Sequence, residues 1–296
     1  MREAAGYAQV SHQDSRFMDI SVIIPTYNRL RTLPRALDSV LAQKLPAAEI
    51  LVIDDGSQDQ TRQLLETRYP NCRYLHQPNQ GVSQARNRGI REASSEWLAL
   101  LDSDDAWLPD KLRLQCQALQ AQPAYRLCHT DEIWVRNGVR VNPMKKHAKG
   151  GGRIFYDCLP RCVISPSAVM LHRTLFGEIG LFDTRLPACE DYDLWLRICA
   201  REPVLYVDKP LLIKYGGHKD QLSRQHWGMD RFRIQALEKL IQSGGLTPAY
   251  RAAARAMLVQ KARIMLQGAE KRGRTQRADK YRKLLQTYTA CHPTNQ

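Results

Sequence analysis

Short apolar runs alternate with segments of helical period over the first hundred residues, and this alternation restricts the chain more than any other feature. Residues 20–24 (Ile-Ser-Val-Ile-Ile) and 50–53 (Ile-Leu-Val-Ile) are brief, nearly continuous apolar stretches bounded by polar or turn residues. Runs of that kind read as strands buried on both faces of a parallel sheet. Between them Leu30, Leu33, Leu37, Val40 and Leu41 recur at three- and four-residue steps, which marks a crossover helix. The first 53 residues therefore hold one βαβ unit. The pattern continues with a helix over 60–68, a strand over 72–75, a helix over 82–92 and a strand over 97–101. It predicts an α/β fold with a mostly parallel central sheet flanked by helices, in which ligands bind outside the carboxyl ends of the strands.

Downstream, residues 110–120 read as a helix with Pro109 near its first turn, residues 125–141 as β-rich, and 142–153 as a Lys/Gly-rich loop. An apolar strand over 167–171 precedes a helical stretch over 190–199, where Leu194, Ile198 and Cys199 share a face. Three helical segments, 227–241, 248–267 and 275–288, fill the rest. The 296 residues suffice for one large domain plus an extension.

Charge is distributed unevenly. From Lys209 onward there are 18 Lys and Arg against 5 Asp and Glu, so nearly all of the net +14 resides in the last third. Such a surface attracts nucleic acid, anionic lipid or an anionic substrate. No zinc finger or RNA-recognition motif accompanies it, so no nucleic acid is expected. In the second helix of the tail Ala254, Met257, Leu258, Ile264 and Met265 trace an apolar stripe, with Arg251, Arg255, Lys261 and Arg263 beside it. That arrangement predicts either a helix packed on the domain or one bound at an anionic membrane surface. The 8 cysteines form no paired CxxC motifs, and several lie in apolar stretches, which points to reduced, buried thiols. No apolar leader core and no run of 18 apolar residues is present, and the expected location is cytoplasmic, at most peripheral on the inner face of the cell membrane.

Three polar clusters fall at strand ends: Pro25-Thr26-Tyr27-Asn28, Asp54-Asp55-Gly56-Ser57 and Asp102-Ser103-Asp104-Asp105. Each alone has an ordinary reading as a turn or a helix cap. Together they bring five carboxylates to one crevice, where they repel one another unless a cation or hydrogen-bond donors lie close. Oxygen-only ligands favour a hard divalent ion, Mg²⁺ or Mn²⁺.

In order and spacing, Ile20-Ser-Val-Ile-Ile-Pro-Thr-Tyr-Asn28, Val52-Ile-Asp-Asp-Gly-Ser57, Gly81-Val-Ser-Gln-Ala-Arg-Asn-Arg-Gly89 and Leu101-Asp-Ser-Asp-Asp105 resemble glycosyltransferase family 2 over residues 20–110, and more weakly to about 216. The resemblance implies a GT-A fold and an inverting transfer from a nucleoside diphosphate-sugar, with uridine favoured, to a carbohydrate or lipid-linked glycan acceptor. It divides the chain into an N-terminal extension (1–18), a catalytic domain (19–216) with nucleotide-binding (19–110) and acceptor-binding (111–216) halves, and a basic helical extension (217–296). By the same resemblance Pro25, Thr26, Tyr27 and Asn28 would lie beside base and ribose, Asp55 would accept a hydrogen bond from the pyrimidine, and Arg86 would help hold the nucleotide. Asp104 would contact the ribose, Asp105 would bind the metal, and Asp102 would orient the loop.

The Glu190-Asp191 pair matches the family's acidic pair, with Asp191 as general base and Glu190 as the fallback. An ionised carboxylate is a suitable base at neutral pH. The alternative is that these residues only favour the positive end of a helix. His218 occupies a place where relatives carry a histidine near the metal or diphosphate. Gln221-Leu-Ser-Arg224 is similar to part of the processive Gln-x-x-Arg-Trp signature but breaks at Gln225, so one sugar per encounter is expected. A non-catalytic nucleotide-sugar-binding scaffold is the competing class, separable by donor hydrolysis.

Overall fold

The computed structural model describes residues 18–142, 144, 147–217 and 226–290. The first half follows the expected order: β1 (Ile20–Thr26), α1 (Leu33–Leu41), β2 (Glu49–Asp54), α2 (Thr61–Arg68), β3 (Arg73–His76), α3 (Val82–Glu92) and β4 (Trp97–Leu100). β1 pairs in parallel with β2 and β4, and β2 with β3. All seven residues of β1 are buried, which is why its apolar run is nearly unbroken. Side chains alternate across the sheet. Ile23, Leu51 and Ile53 enter one core cluster, and Val22, Ile24 and Val52 enter the other. At Gly89 α3 approaches the sheet too closely for a side chain, since a Cβ there would lie 2.3 Å from Ile23 Cγ2.

The second half comprises β5 (Ala106–Trp107), α4 (Lys111–Ala121), β6 (Leu127–Arg136), β7 (Val139–Val141), α5 (Phe155–Cys158), β8 (Met170–His172), α6 (Thr174–Ile179), α7 (Glu190–Cys199) and β9 (Leu205–Gly216). The sheet order is β3-β2-β1-β4-β8-β6-β9-β5, with β7 paired to β6. β8 runs antiparallel to both β4 and β6, whereas β6 and β9 are parallel. The sheet is thus parallel through its first four strands and mixed beyond them. The sequence reading also passed over β9, because Lys209-Pro210 interrupts its apolar pattern. Proline lacks the donor a ladder needs, and the register of β6 shifts at Asp131, the residue opposite Pro210.

The tail supplies α8 (Asp230–Gln242), α9 (Pro248–Glu270) and α10 (Thr275–Thr289). Phe232, Leu237, Ala254, Leu258, Ala262 and Tyr281 join the same core cluster as α3 and α7, so these helices complete the domain's packing. Lys261, read as part of the basic face, is buried, with Nζ 3.0 Å from both Asp230 Oδ1 and Pro160 O. Ile264, read as part of the apolar stripe, is 53% exposed. Helical period explains both: Lys261 lies seven residues after Ala254, on the buried line, while a ten-residue step carries Ile264 well off it. None of the seven described cysteines is bridged. Among the described residues, no helix is long and apolar enough to cross a membrane.

Candidate functional site

The ends of β1, β2 and β4 and the loop before α3 open on a cavity of ≈ 570 Å³. Its sheet-side wall carries Pro25, Thr26, Tyr27, Asp55 and Arg86, with Asp102, Asp104 and Asp105 from the loop after β4. Glu190 and Asp191 line the same cavity. Of the residues singled out from the sequence, Asn28 is not part of this wall and His218 lies outside the described residues, as does the 221–224 segment. Asn28 has a left-handed backbone (φ 52) and ties two loops together. Its N–H donates to Ser57 Oγ at 2.8 Å, and its Oδ1 accepts from Gln58 N at 2.8 Å.

Asp55 is buried and does more than mark a turn. Its Oδ1 accepts from Gln77 Nε2 (2.7 Å) and Gln80 N (3.0 Å), and its Oδ2 accepts from Gly81 N (2.7 Å). Three of about four lone-pair positions on the carboxylate are therefore engaged by residues 77–81, the cavity's edge. One direction remains for a ligand.

The acidic loop is held from three sides. Asp105 N donates to Asp102 O, closing a turn at 3.0 Å. Ser167 Oγ donates to Asp105 Oδ2 (2.7 Å) and accepts from Asp102 N (3.0 Å), while Tyr215 N donates to Asp105 Oδ1 (3.0 Å). Arg35 donates to the Asp104 carbonyl and lies over the Tyr215 ring, 3.5 Å from its centroid. Burial, followed by the charge of Asp104, pushes the Asp105 carboxyl well above the usual range, against the pull of Lys214. A divalent cation would relieve that repulsion, so the oxygen donors Asp102, Asp104 and Asp105 suit a hard ion. Among the described residues no group of three or more His, Cys, Asp or Glu side chains is placed to hold a metal ion by itself. An ion at this loop would need most of its ligands from substrate or water.

Arg86 joins the acidic loop to Glu190. Nη2 donates to Asp102 Oδ1 and Nη1 to Glu190 Oε1, both at 2.7 Å, with the Arg86 and Glu190 side chains only 4% and 6% exposed. Arg86 thus serves as an internal strut, yet it also lines the cavity, and a guanidinium carries five N–H donors, so these two bonds leave donors for the nucleotide contact expected of it. Glu190 is likewise engaged. Burial, then the neighbouring Asp191, raises its carboxyl to about 7, with Arg86 opposing.

The residue before α7, Cys189, has φ 61, a left-handed conformation that is strained for a residue with a Cβ. It sets Glu190 and Asp191 in the first turn, at the positive end of the helix. Asp191 Oδ1 accepts from Tyr192 N at 2.7 Å, and Oδ2 lies 3.3 Å from Cys162 Sγ. Burial foremost, and Asp191 next, push the Cys162 thiol upward, so it stays protonated and able to donate. Its single proton is shared between Asp191 and Ile164 O, 3.1 Å away. Behind this turn Lys239 of α8 lies 2.5 Å from Asp193 Oδ1 and 2.9 Å from Asp183 Oδ2, fixing α7 to the tail.

Ser167, Cys162, Lys214 and Met229 escaped the sequence reading, although each touches or lines the site. Lys214 and Tyr215 belong to β9, and recognising that strand would have placed them. Nothing local marks Ser167 or Cys162.

Residues 21–180 match the sequence model of glycosyl transferase family 2. The chain is similar to an uncharacterized glycosyltransferase of Rickettsia conorii, 34% identical over 219 residues that cover 70% of this chain and 35% of that protein. It is also similar to TuaG of Bacillus subtilis, a provisional teichuronic acid biosynthesis glycosyltransferase, 27% identical over 213 residues covering 70% and 82% of the two chains. The chain spans about a third of the length of the Rickettsia felis, bellii and conorii relatives. Among solved structures, residues 1–349 of S. aureus TarS in complex with UDP-GlcNAc match with a TM-score of 0.65 at 22% identity, over 82% of this chain and 71% of that one.

Proposed function

Since the chain belongs to glycosyltransferase family 2 and has the family's GT-A fold, we propose that it is an inverting enzyme that moves a sugar from a nucleoside diphosphate donor to an acceptor hydroxyl. The observation that carries the proposal is the meeting, in one cavity, of the strand-end residues Asp55, Asp102, Asp104 and Asp105 with Asp191.

Pro25, Thr26 and Tyr27 flank the base and ribose, and Asp55 offers its remaining lone pair to the base while keeping residues 77–81 in place. TarS is described with UDP-GlcNAc, which favours uridine here as well. Asp104 faces the ribose, Asp105 would hold Mg²⁺ or Mn²⁺, and Asp102, bonded to Arg86, orients the loop. A divalent ion bound there supplies Lewis-acid stabilisation of the negative charge that builds on the leaving group. Arg86 keeps Asp102 and Glu190 at a constant separation. Asp191 accepts the acceptor's proton as the bond to the anomeric carbon forms, from the face opposite the diphosphate, so the anomeric centre inverts.

Lys271, Arg272, Arg274, Arg277, Lys280 and Lys283 are exposed on the tail. They supply a basic surface for an anionic membrane, which would bring a lipid-linked acceptor to the site. The direct test is a screen of nucleotide sugars for Mn²⁺-dependent thermal stabilisation, followed by transfer to candidate acceptors. Failure of every nucleoside diphosphate-sugar to stabilise the protein would remove the reading.

A further inference from the structure

Lys214 stands inside the cavity wall, on the strand that also positions Asp105. Its Nζ donates to Ser165 Oγ at 3.1 Å, and an ammonium carries three donors, so two N–H directions remain for a ligand. Behind it Glu132 is fixed by Lys149 Nζ at 2.7 Å, the two side chains being 4% and 5% exposed, and by Trp134 Nε1 at 2.7 Å. Burial works against the charge of Lys214, but Glu132, Asp105, Asp102 and Asp191 more than offset it and hold the ammonium above the ordinary lysine range. The residue is therefore a fixed cation beside both the acidic loop and the proposed base. A compact ammonium on a flexible stem is suited to phosphate oxygens.

We propose that Lys214 is a catalytic residue of the transfer: it donates N–H bonds to the terminal phosphate of the leaving nucleoside diphosphate, as a protein cation additional to the divalent ion. This rests on the proposed function above. The ammonium keeps its proton throughout. The carbon–oxygen bond to the diphosphate breaks with its electron pair passing to the phosphate oxygen, where the Lys214 charge lowers the energy of the leaving anion. The same cation lets Asp102, Asp105 and Asp191 share a small volume before the donor arrives. A purely structural lysine would do only the latter, and the two roles separate experimentally.

The test is calorimetry with the matched pairs UDP/UMP, dTDP/dTMP and GDP/GMP, in EDTA and in Mn²⁺, on the wild type, Lys214→Gln and Lys214→Arg. The wild type is expected to prefer the diphosphate of one pair even in EDTA. In Lys214→Gln that preference should shrink by about tenfold, roughly 1.4 kcal/mol, with monophosphate affinity little changed, and Lys214→Arg should keep most of it. An unchanged diphosphate-to-monophosphate ratio in Lys214→Gln overturns the inference. If that variant does not fold, thermal shifts of the unmodified protein in EDTA decide: equal stabilisation by the two members of the binding pair overturns it, and stabilisation selective for the diphosphate supports it. Absence of any nucleotide binding by the wild type, with or without Mn²⁺, instead refutes the proposed function.

Discussion

Replacing Asp191 by Asn should separate chemistry from binding and from folding. Asn keeps an oxygen for Tyr192 N, the 2.7 Å contact that anchors the turn. It replaces the other carboxylate oxygen, near Cys162 Sγ, by an amide that cannot take up a proton. The stability cost is that of removing one anion from a helix N-terminus, about 0.3–1 kcal/mol, and Asp191 is only partly buried. At about 2–4 °C per kcal/mol for a domain of 150–250 residues, melting should fall by no more than a few degrees. Turnover should fall by roughly 10²–10⁴, the contribution of a positioned base, with affinity for donor and metal unchanged. The control is Glu190→Gln. It weakens a buried pair with Arg86 that ties α7 to the acidic loop, so its main effect should be on melting and its kcat defect should be the smaller one. Steady-state transfer, donor calorimetry and thermal melts on both variants complete the comparison. Near-native turnover by Asp191→Asn would refute the assignment of the base, even with glycosyl transfer established.

Asp55→Ala should lower both nucleotide affinity and stability, the latter by at least about 1.5–3 kcal/mol for a charged hydrogen bond lost, since the N–H groups of Gln80 and Gly81 lose their acceptor; calorimetry and urea melts read both, and no change in either would leave the residue without the role given it. Lys111 is fully buried, bonded to Gln115 at 2.7 Å, and burial lowers its ammonium to about 7. Its folded value is depressed below the unfolded one, so the stability it contributes is present above about 10.5 and lost as pH falls through about 7; Lys111→Met should therefore raise the melting temperature at pH 6–7 by a margin that shrinks toward pH 10, and a margin independent of pH would contradict this. For the tail, truncation is uninformative because α9 is core; exchanging Arg272, Arg274, Lys280 and Lys283 for Glu should instead abolish salt-sensitive sedimentation with anionic vesicles, and equal sedimentation of the wild type with neutral vesicles would count against a membrane role.

The nucleotide half was legible in the sequence because its signals are local. A strand buried on both faces must be apolar throughout, a crossover helix must repeat at 3.6, and polar residues after such strands can only meet at one edge of the sheet. Pro25 to Tyr27, Asp55 and the Asp102–Asp105 loop were found in this way, and Glu190-Asp191 by resemblance. Tertiary structure alone decided what these groups touch. That Asp55 fastens residues 77–81, that Arg86 binds two carboxylates 16 and 104 residues away, and that Ser167 joins Asp102 to Asp105 are contacts between distant segments, for which no local pattern exists. β9 was hidden because a proline broke its alternation and only its register against β6 absorbs the break. The tail's charge was plain from composition, yet whether a lysine such as Lys261 faces water or an aspartate inside the core depends on the azimuth of a packed helix, which is set by what lies against it.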